Sequence, residues 1–294
     1  LISIFDLGSN NLNYLLFDKE KQQVMHKTQV TTALGKNFRR DRISALRLNT
    51  VKKAINSLFQ LDSSLKSEKV LLATGVMRKA ANASSLIDWI TNKYGISCKI
   101  ISAEEEIRYA YYAARNYRSG EEASLAIDIG GFSTEVIDLN KEKKQQGISL
   151  PFGLITLLND FDAEIETAEN YIQDKLAAIP YHNCHKLIGI GLTYTYLAAV
   201  VYKCSYANNE ELEGKAISKK QLQHLGQLIA AEAEEEYLPF LLEESYLPVL
   251  KLSIMFNISL LDRFEVSEII VCNSGISVGY AHWLSAKKKY KAQK

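Results

Sequence analysis

Apolar residues recur along this chain in two rhythms, and the rhythms come in the same order twice. The run Ile2-Ser-Ile-Phe-Asp6 is followed, after a glycine, by Leu12 to Phe17, and Val24 to Thr32 forms a third extended segment. Short apolar runs bounded by turn residues predict a β-meander. From Ile43 to Leu61 the period changes. Leu46, Val51, Ala54, Ile55 and Leu58 return near every 3.6 residues, which predicts a helix. Lys69 to Ala73 predicts a short buried strand, and Thr74 to Asn82 a turn entering a helix with Arg78 near its start. Leu86 to Tyr94 predicts a helix capped by Ser84 and Ser85 and stopped at Gly95. Cys98 to Ile101 is the next strand. Ser102-Ala-Glu-Glu105 has the spacing of a capping box and opens a helix with Ile107, Ala110, Tyr111 and Ala114 on one face.

A polar link at 119–125 marks a domain boundary, and the order then repeats. A hairpin over 124–139, a strand Gln146 to Leu150 and a loop Pro151-Phe-Gly153 lead to a helix over Glu164 to Ala178. The strand Lys186 to Ile190 follows, then Gly191 and an apolar helix to Tyr202. Ser218 with Gln221 is a second capping box, starting a helix with Leu222, Leu225, Leu228 and Ile229. Glu232 to Glu236 reads as a solvated helix face, and Pro239 and Pro248 as breaks. Ile269 to Cys272 predicts the last strand, and Val278 to Lys289 a closing helix whose terminal lysines suit its dipole. The prediction is a duplicated α/β protein with domains 1–118 and 119–277. Each is a mixed five-stranded sheet flanked by helices, with the closing helix 278–294 packing back on the first domain and a hinge near Gly120.

Composition narrows the class without naming a function. The chain has 294 residues, 47% hydrophobic and 23% charged, as expected of a globular protein long enough for two domains. A net charge of +1 gives no global case for nucleic acid or an anionic membrane. No apolar run reaches the roughly 18 residues of a membrane span. The first residues read as a strand rather than a signal peptide, so a cytoplasmic protein is expected. Cys98, Cys184, Cys204 and Cys272 are scattered and read as reduced core residues. His182, Cys184 and His185 fit no common zinc spacing.

The candidate chemistry sits at the turns. Asp128 ends a strand at Gly130 and Gly131, with Ser133, Thr134 and Glu135 beyond. Asp6, Gly8, Ser9 and Asn10 repeat the order about 120 residues earlier. Glycines let a backbone approach a ligand closely, and free N–H groups beside hydroxyls cradle phosphate. Either motif alone is also an ordinary hairpin; two in the same order favour a pair of phosphate-facing turns. Glu106, in the acidic start of its helix, is a candidate base, although local sequence alone favours a solvated turn.

The chain resembles the exopolyphosphatase / guanosine pentaphosphate phosphohydrolase family, in a short, two-domain form. Asp6 to Asn10, Thr74 to Asn82, Ile101 to Arg108, Asp128 to Glu135, Ser149 to Gly153 and Gly189 to Gly191 match its motifs in order. The resemblance implies two ribonuclease H-like, actin-like ATPase domains around an interdomain cleft. It implies Glu106 as general base and Asp6 and Asp128 as ligands of Mg²⁺, with Glu135 assisting. Gly8, Ser9, Asn10, Arg78, Gly130, Gly131, Ser133 and Thr134 would bind phosphate. The implied substrates are polyphosphate or guanosine pentaphosphate, and a homodimer is compatible with the sequence. Several family positions depart: Phe132, Ala103 and Leu192 replace glycines, and Thr156, Asn273, Ser274 and Ser277 replace charged residues. Bulk at Phe132 is expected to narrow the cradle, and the lost cations to weaken binding of long chains. The alternative is a weakly active or inactive member that senses a phosphorylated ligand. A sugar-type kinase is disfavoured, since the base stands at Glu106 rather than at an Asp in the second half.

Overall fold

The computed structural model describes residues 1–62, 66–118, 124–141, 147–161, 165–180, 184–205, 210–241 and 246–292. The first sheet is β3 (Gln23–Thr31), β2 (Asn11–Asp18), β1 (Ile2–Leu7), β4 (Glu68–Ala73) and β5 (Ser97–Ile100), in that order. β1 and β2 and then β2 and β3 pair antiparallel; β4 and β5 continue parallel on the other side. β1 is central and buried throughout, which is why it reads as a nearly continuous apolar run.

The second sheet repeats the plan. β8 (Gly147–Leu150), β7 (Thr134–Asp138) and β6 (Ser124–Ile129) form the antiparallel meander, and β9 (Lys186–Ile190) and β11 (Glu268–Cys272) add parallel. Here the expected five strands are six among the described residues. β10 (Ala216–Ser218) pairs antiparallel at the edge of β11, and its last residue, Ser218, also caps the helix that follows. The capping box was legible and hid the strand: three residues are too few to show a period of two.

The helices are α1 (Ala45–Asp62), α2 (Val76–Lys79), α3 (Ala83–Tyr94), α4 (Ala103–Ala114), α5 (Leu154–Phe161), α6 (Ile165–Ala177), α7 (Leu192–Val201), α8 (Lys219–Ala230), α9 (Leu247–Phe264) and α10 (Ile276–Ala292). The capping boxes at Ser102/Glu105 and Ser218/Gln221 form as expected, and Gly95 ends α3 in the left-handed region. Ser84 and Ser85 do not cap α3. Its N-cap is Asn82, whose amide is drawn away to the backbone N–H and carbonyl of Ile43. The helix expected over Thr74 to Asn82 is a single turn: it starts after Gly75, at φ +52°, and ends where Ala80 becomes extended. Pro248 does not break a helix; it lies in the first turn of α9, where its missing N–H costs no bond. α9 is buried on most of its circumference, so no amphipathic period announces it. Of the cysteines, Cys184 and Cys272 are buried, but Cys98 and Cys204 are only half-buried; all four are free thiols. Glu234–Glu236 is a short 3-10 turn rather than a helix face. The expected hinge at Gly120, and His182, lie outside the described residues. Among the described residues no helix is long and apolar enough to cross a membrane.

One apolar cluster fills each lobe, and a third joins them. The third gathers Ile4 and Phe17 of the first sheet, Ile107 and Tyr109 of α4, Ile137 and Ile188 of the second sheet, and Ala281 of α10. α4 packs on the second sheet and α10 on the first, so each half lends a helix to the other. The two helices cross closely at Gly279. A Cβ there would overlap the carbonyl of Tyr109, lying 2.6 Å from its carbon. Gly279→Val should therefore lower unfolding stability by about 1–3 kcal/mol, the usual cost of overpacking. Urea unfolding checks this, and an unchanged midpoint would mean that the crossing is not tight.

Candidate active site

The β1–β2 and β6–β7 hairpins meet tip to tip, and they are built alike. Asp6 stands opposite Asn13 in one register, and Asp128 opposite Glu135 in the other. The Gly8 N–H donates to the Asn11 carbonyl at 2.9 Å, and the Gly130 N–H to the Ser133 carbonyl at 3.0 Å. Those two amides therefore close the turns and are not free for a ligand. The N–H groups of Ser9, Asn10, Gly131 and Phe132 bond to nothing among the described residues. A Cβ on Gly131 would lie 2.9 Å from that of Ser9, so only glycine permits this approach. The Ser9 hydroxyl accepts the Val76 N–H at 2.9 Å, which ties the first turn to α2.

Between the hairpins lies a cavity of about 150 Å³. Asp6, Gly8, Ser9, Asn10, Glu106, Asp128, Gly130, Gly131, Ser133 and Glu135 all line it. Two expected site residues do not. Thr134 is buried, and its hydroxyl donates to the Phe152 carbonyl at 2.9 Å. Arg78 stands behind the wall: its guanidinium pairs with Glu106, donates to the Ile101 carbonyl at 3.3 Å and reaches the Ser133 hydroxyl at 3.3 Å. Asn13 was not expected. Its amide donates to Asp6 at 3.2 Å. The duplication could have found it, since Asn13 lies seven residues after Asp6 as Glu135 does after Asp128. Thr74, which opens a matched motif, also lines the cavity, as do Thr193 and Tyr246, which were not expected there.

Four carboxyl groups share this small space, and burial dominates all of them. Asp6 is pushed up to about 6, with the Asn13 hydrogen bond opposing. Asp128 is raised by burial and then by the charges of Glu135 and Asp6. Glu106 is raised by burial and by Glu135, against the pull of Arg78. Glu135 is raised by burial, against hydrogen bonds from Ser149 and Ser133 and the charge of Arg78. Asp6 and Asp128 have no cationic partner among the described residues, so hard carboxylate oxygens face the cavity with their charge uncompensated. No group of three His, Cys, Asp or Glu side chains assembles a complete metal cage among the described residues. That donor set fits Mg²⁺, which takes one or two carboxylates and completes its shell with water and phosphate oxygen.

Phe132 departs from expectation. Its ring leaves the cradle and is buried against Gly35 and Phe38 of the first lobe, 5.4 Å from the Phe38 ring centre. Asn10 to the Tyr246 hydroxyl at 2.9 Å, Asn159 to the Gly35 carbonyl at 3.2 Å and Lys79 to the Pro151 carbonyl at 3.2 Å also bridge the lobes. The departures from charge have become structural. Thr156 caps α5 by accepting the Gly153 N–H at 2.7 Å, and Asn273 accepts from the Thr195 hydroxyl at 3.1 Å.

Comparison with known proteins agrees with this geometry. The model of the Ppx/GppA phosphatase family matches residues 16–282. The chain is similar to the crystal structure of the Aquifex aeolicus member of that family, at TM-score 0.78 and 22% identity over 98% of each chain. An exopolyphosphatase from Cytophaga hutchinsonii superposes at TM-score 0.78 and 18% identity, over 97% of this chain and 98% of that one. A protein described as exopolyphosphatase-like superposes at TM-score 0.85 and 14% identity, over 98% of each. At these identities the structures establish the two-domain actin-like fold.

A carboxyl raised by the fold stabilises the folded state below its unfolded value, and that stability is lost as pH rises through the folded value. For Asp6 the window runs from 3.8 to about 6. In a chelator, Asp6→Asn should raise stability at pH 7.5 by about 2–3 kcal/mol and change it little at pH 4. Thermal or urea unfolding at the two pH values checks this; an equal shift at both would deny that charge is the cause.

Proposed function

The chain belongs to the Ppx/GppA phosphatase family, and we propose that it is a magnesium-dependent phosphoanhydride hydrolase with Glu106 as its general base. Its substrate would be inorganic polyphosphate or guanosine pentaphosphate, and its product orthophosphate. The observation that carries this reading is the position of Glu106: buried, facing the cavity, and next to two backbone turns with unused N–H groups.

Each residue has a task that follows from its surroundings. The amides of Ser9, Asn10, Gly131 and Phe132 would hold the oxygens of the terminal phosphate. Glu106 would take a proton from water as the water oxygen bonds to the terminal phosphorus. The phosphoanhydride P–O bond breaks, and its electron pair stays on the shortened chain. Arg78 opposes the rise in the Glu106 pKa and so favours the ionised form of the base. Through Ser133 it also touches the second turn. Asp6 and Asp128 would hold Mg²⁺, which when bound offsets the charge of the phosphate oxygens. Glu135, held by the Ser149 hydroxyl at 2.7 Å, would orient water. A cavity of about 150 Å³ is below the roughly 300–1,000 Å³ of sites that enclose whole small ligands. It suits the phosphate end of a substrate whose remainder lies outside.

A second reading, a binding or regulatory member, is favoured by one observation. Thr156 now serves as a helix cap where an arginine would have met a polyanion, and Asn273 as a neutral hydrogen-bond partner where an aspartate would have stood. Phosphate release decides between the two. With Mg²⁺, wild type should release phosphate from a short polyphosphate or from guanosine pentaphosphate, and Glu106→Gln should lose about 10²-fold or more. Release from neither substrate sinks the hydrolase reading. Arg78→Ala removes the influence that lowers the Glu106 pKa, so the acid limb of its kcat/KM profile should move to higher pH. An acid limb left where it was would separate Arg78 from the base.

A further inference from the structure

The segment 36–47 carries Lys36, Arg39, Arg40, Arg42 and Arg47 against one acid, Asp41. This local net charge of +4 stands in a chain whose total is +1. Lys36, Arg39, Arg40 and Arg42 are exposed, and among the described residues no carboxylate pairs with any of the five basic groups. Such a concentration is repulsive by itself and needs a reason. The segment also borders an open cavity of about 550 Å³, lined by Arg39, Arg42, Asn37, Ser44, Asn82 and Ser85 together with apolar Ile43, Ala45 and Leu48. The loop is not loose. The Asn82 amide clamps Ile43 through both its N–H and its carbonyl, and the Ala81 N–H donates to the Asp41 carbonyl at 2.8 Å.

The loop begins at the catalytic cleft. The Gly35 N–H donates to the Ser9 carbonyl at 2.7 Å, on the first phosphate turn, and Phe38 packs on Phe132 of the second. Arg39 is four residues on from Gly35, so the basic cavity starts within roughly 14 Å of the turn along the chain. Its lining has guanidinium, hydroxyl and amide groups and no aromatic ring. Bases of a single-stranded nucleic acid would find nothing to stack on, whereas a bare chain of phosphates needs only cations and donors.

We propose that this cavity, through Arg39 and Arg42, is a second binding site for the distal phosphates of a long linear polyphosphate whose end lies in the catalytic cavity. The proposal rests on the hydrolase reading only for the placement of the end; the binding itself does not require turnover. It supplies cations on the first lobe where Thr156, Ser274 and Ser277 no longer do so around the cleft.

The test uses Arg39→Ala/Arg42→Ala in the full chain, with circular dichroism and unfolding to show that the fold is kept. Binding of a fluorescent long polyphosphate and of tripolyphosphate is measured at 50 and 200 mM salt, in the Glu106→Gln background so that neither probe is consumed. The double variant should bind the long chain at least tenfold more weakly, with its log–log salt slope reduced by about 1–2, while tripolyphosphate affinity is unchanged. Unchanged long-chain affinity overturns the proposal, as does equal loss for both lengths. Equal competition by single-stranded RNA overturns the assignment to polyphosphate. Absence of phosphate release in the wild type would reject the hydrolase reading and leave this binding result standing.

Discussion

The structure depends on one electrostatic constraint: three buried carboxyl groups, Asp6, Glu106 and Glu135, and a half-buried fourth, Asp128, around a cavity of about 150 Å³. Like charges in a poorly solvated space oppose one another's ionisation, and they stay together only where the backbone leaves no alternative. Here the backbone is two central hairpins, each paired on both sides within its own sheet. Arg78 is the cation that reaches the cluster among the described residues, and it binds to one member, Glu106. The remaining carboxyl groups face the cavity without a cationic partner among the described residues.

Holding the two hairpins in opposition is the work of the exchanged helices. α4 starts at the cleft, carries Glu106 in its first turn and packs on the opposite sheet. α10 leaves the second sheet and returns over the first, with Gly279 letting the two backbones touch. The contacts at the mouth are of another kind. The buried Phe132 ring, the Asn10–Tyr246 bond and the exposed Lys79–Pro151 bond join the lobes beside the cavity.

Phe132 shows why residue substitution alone misleads. As a sequence change it looks like an obstruction in a phosphate turn. In the fold its ring has a place ready outside the turn, because Gly35 has no side chain to occupy it. The same holds for Thr156: read as a missing arginine, it is a helix cap with both partners in reach.

The sequence by itself determined the duplicated order of strands and helices, the two glycine turns, the capping boxes and the identity of the carboxylates. Each of these is local: a period, a cap or a turn needs only a few neighbouring residues to be recognised. The β10 edge, the α9 helix and the direction of the Phe132 ring were decided by packing, since a three-residue strand and a helix buried nearly all round have no period to read. Tertiary structure alone also set which groups touch. Arg78 and Glu106 are separated by 28 residues, so their pairing arises only when the first lobe folds; Glu106 and Glu135, 29 apart, repel only because the two lobes share one cavity.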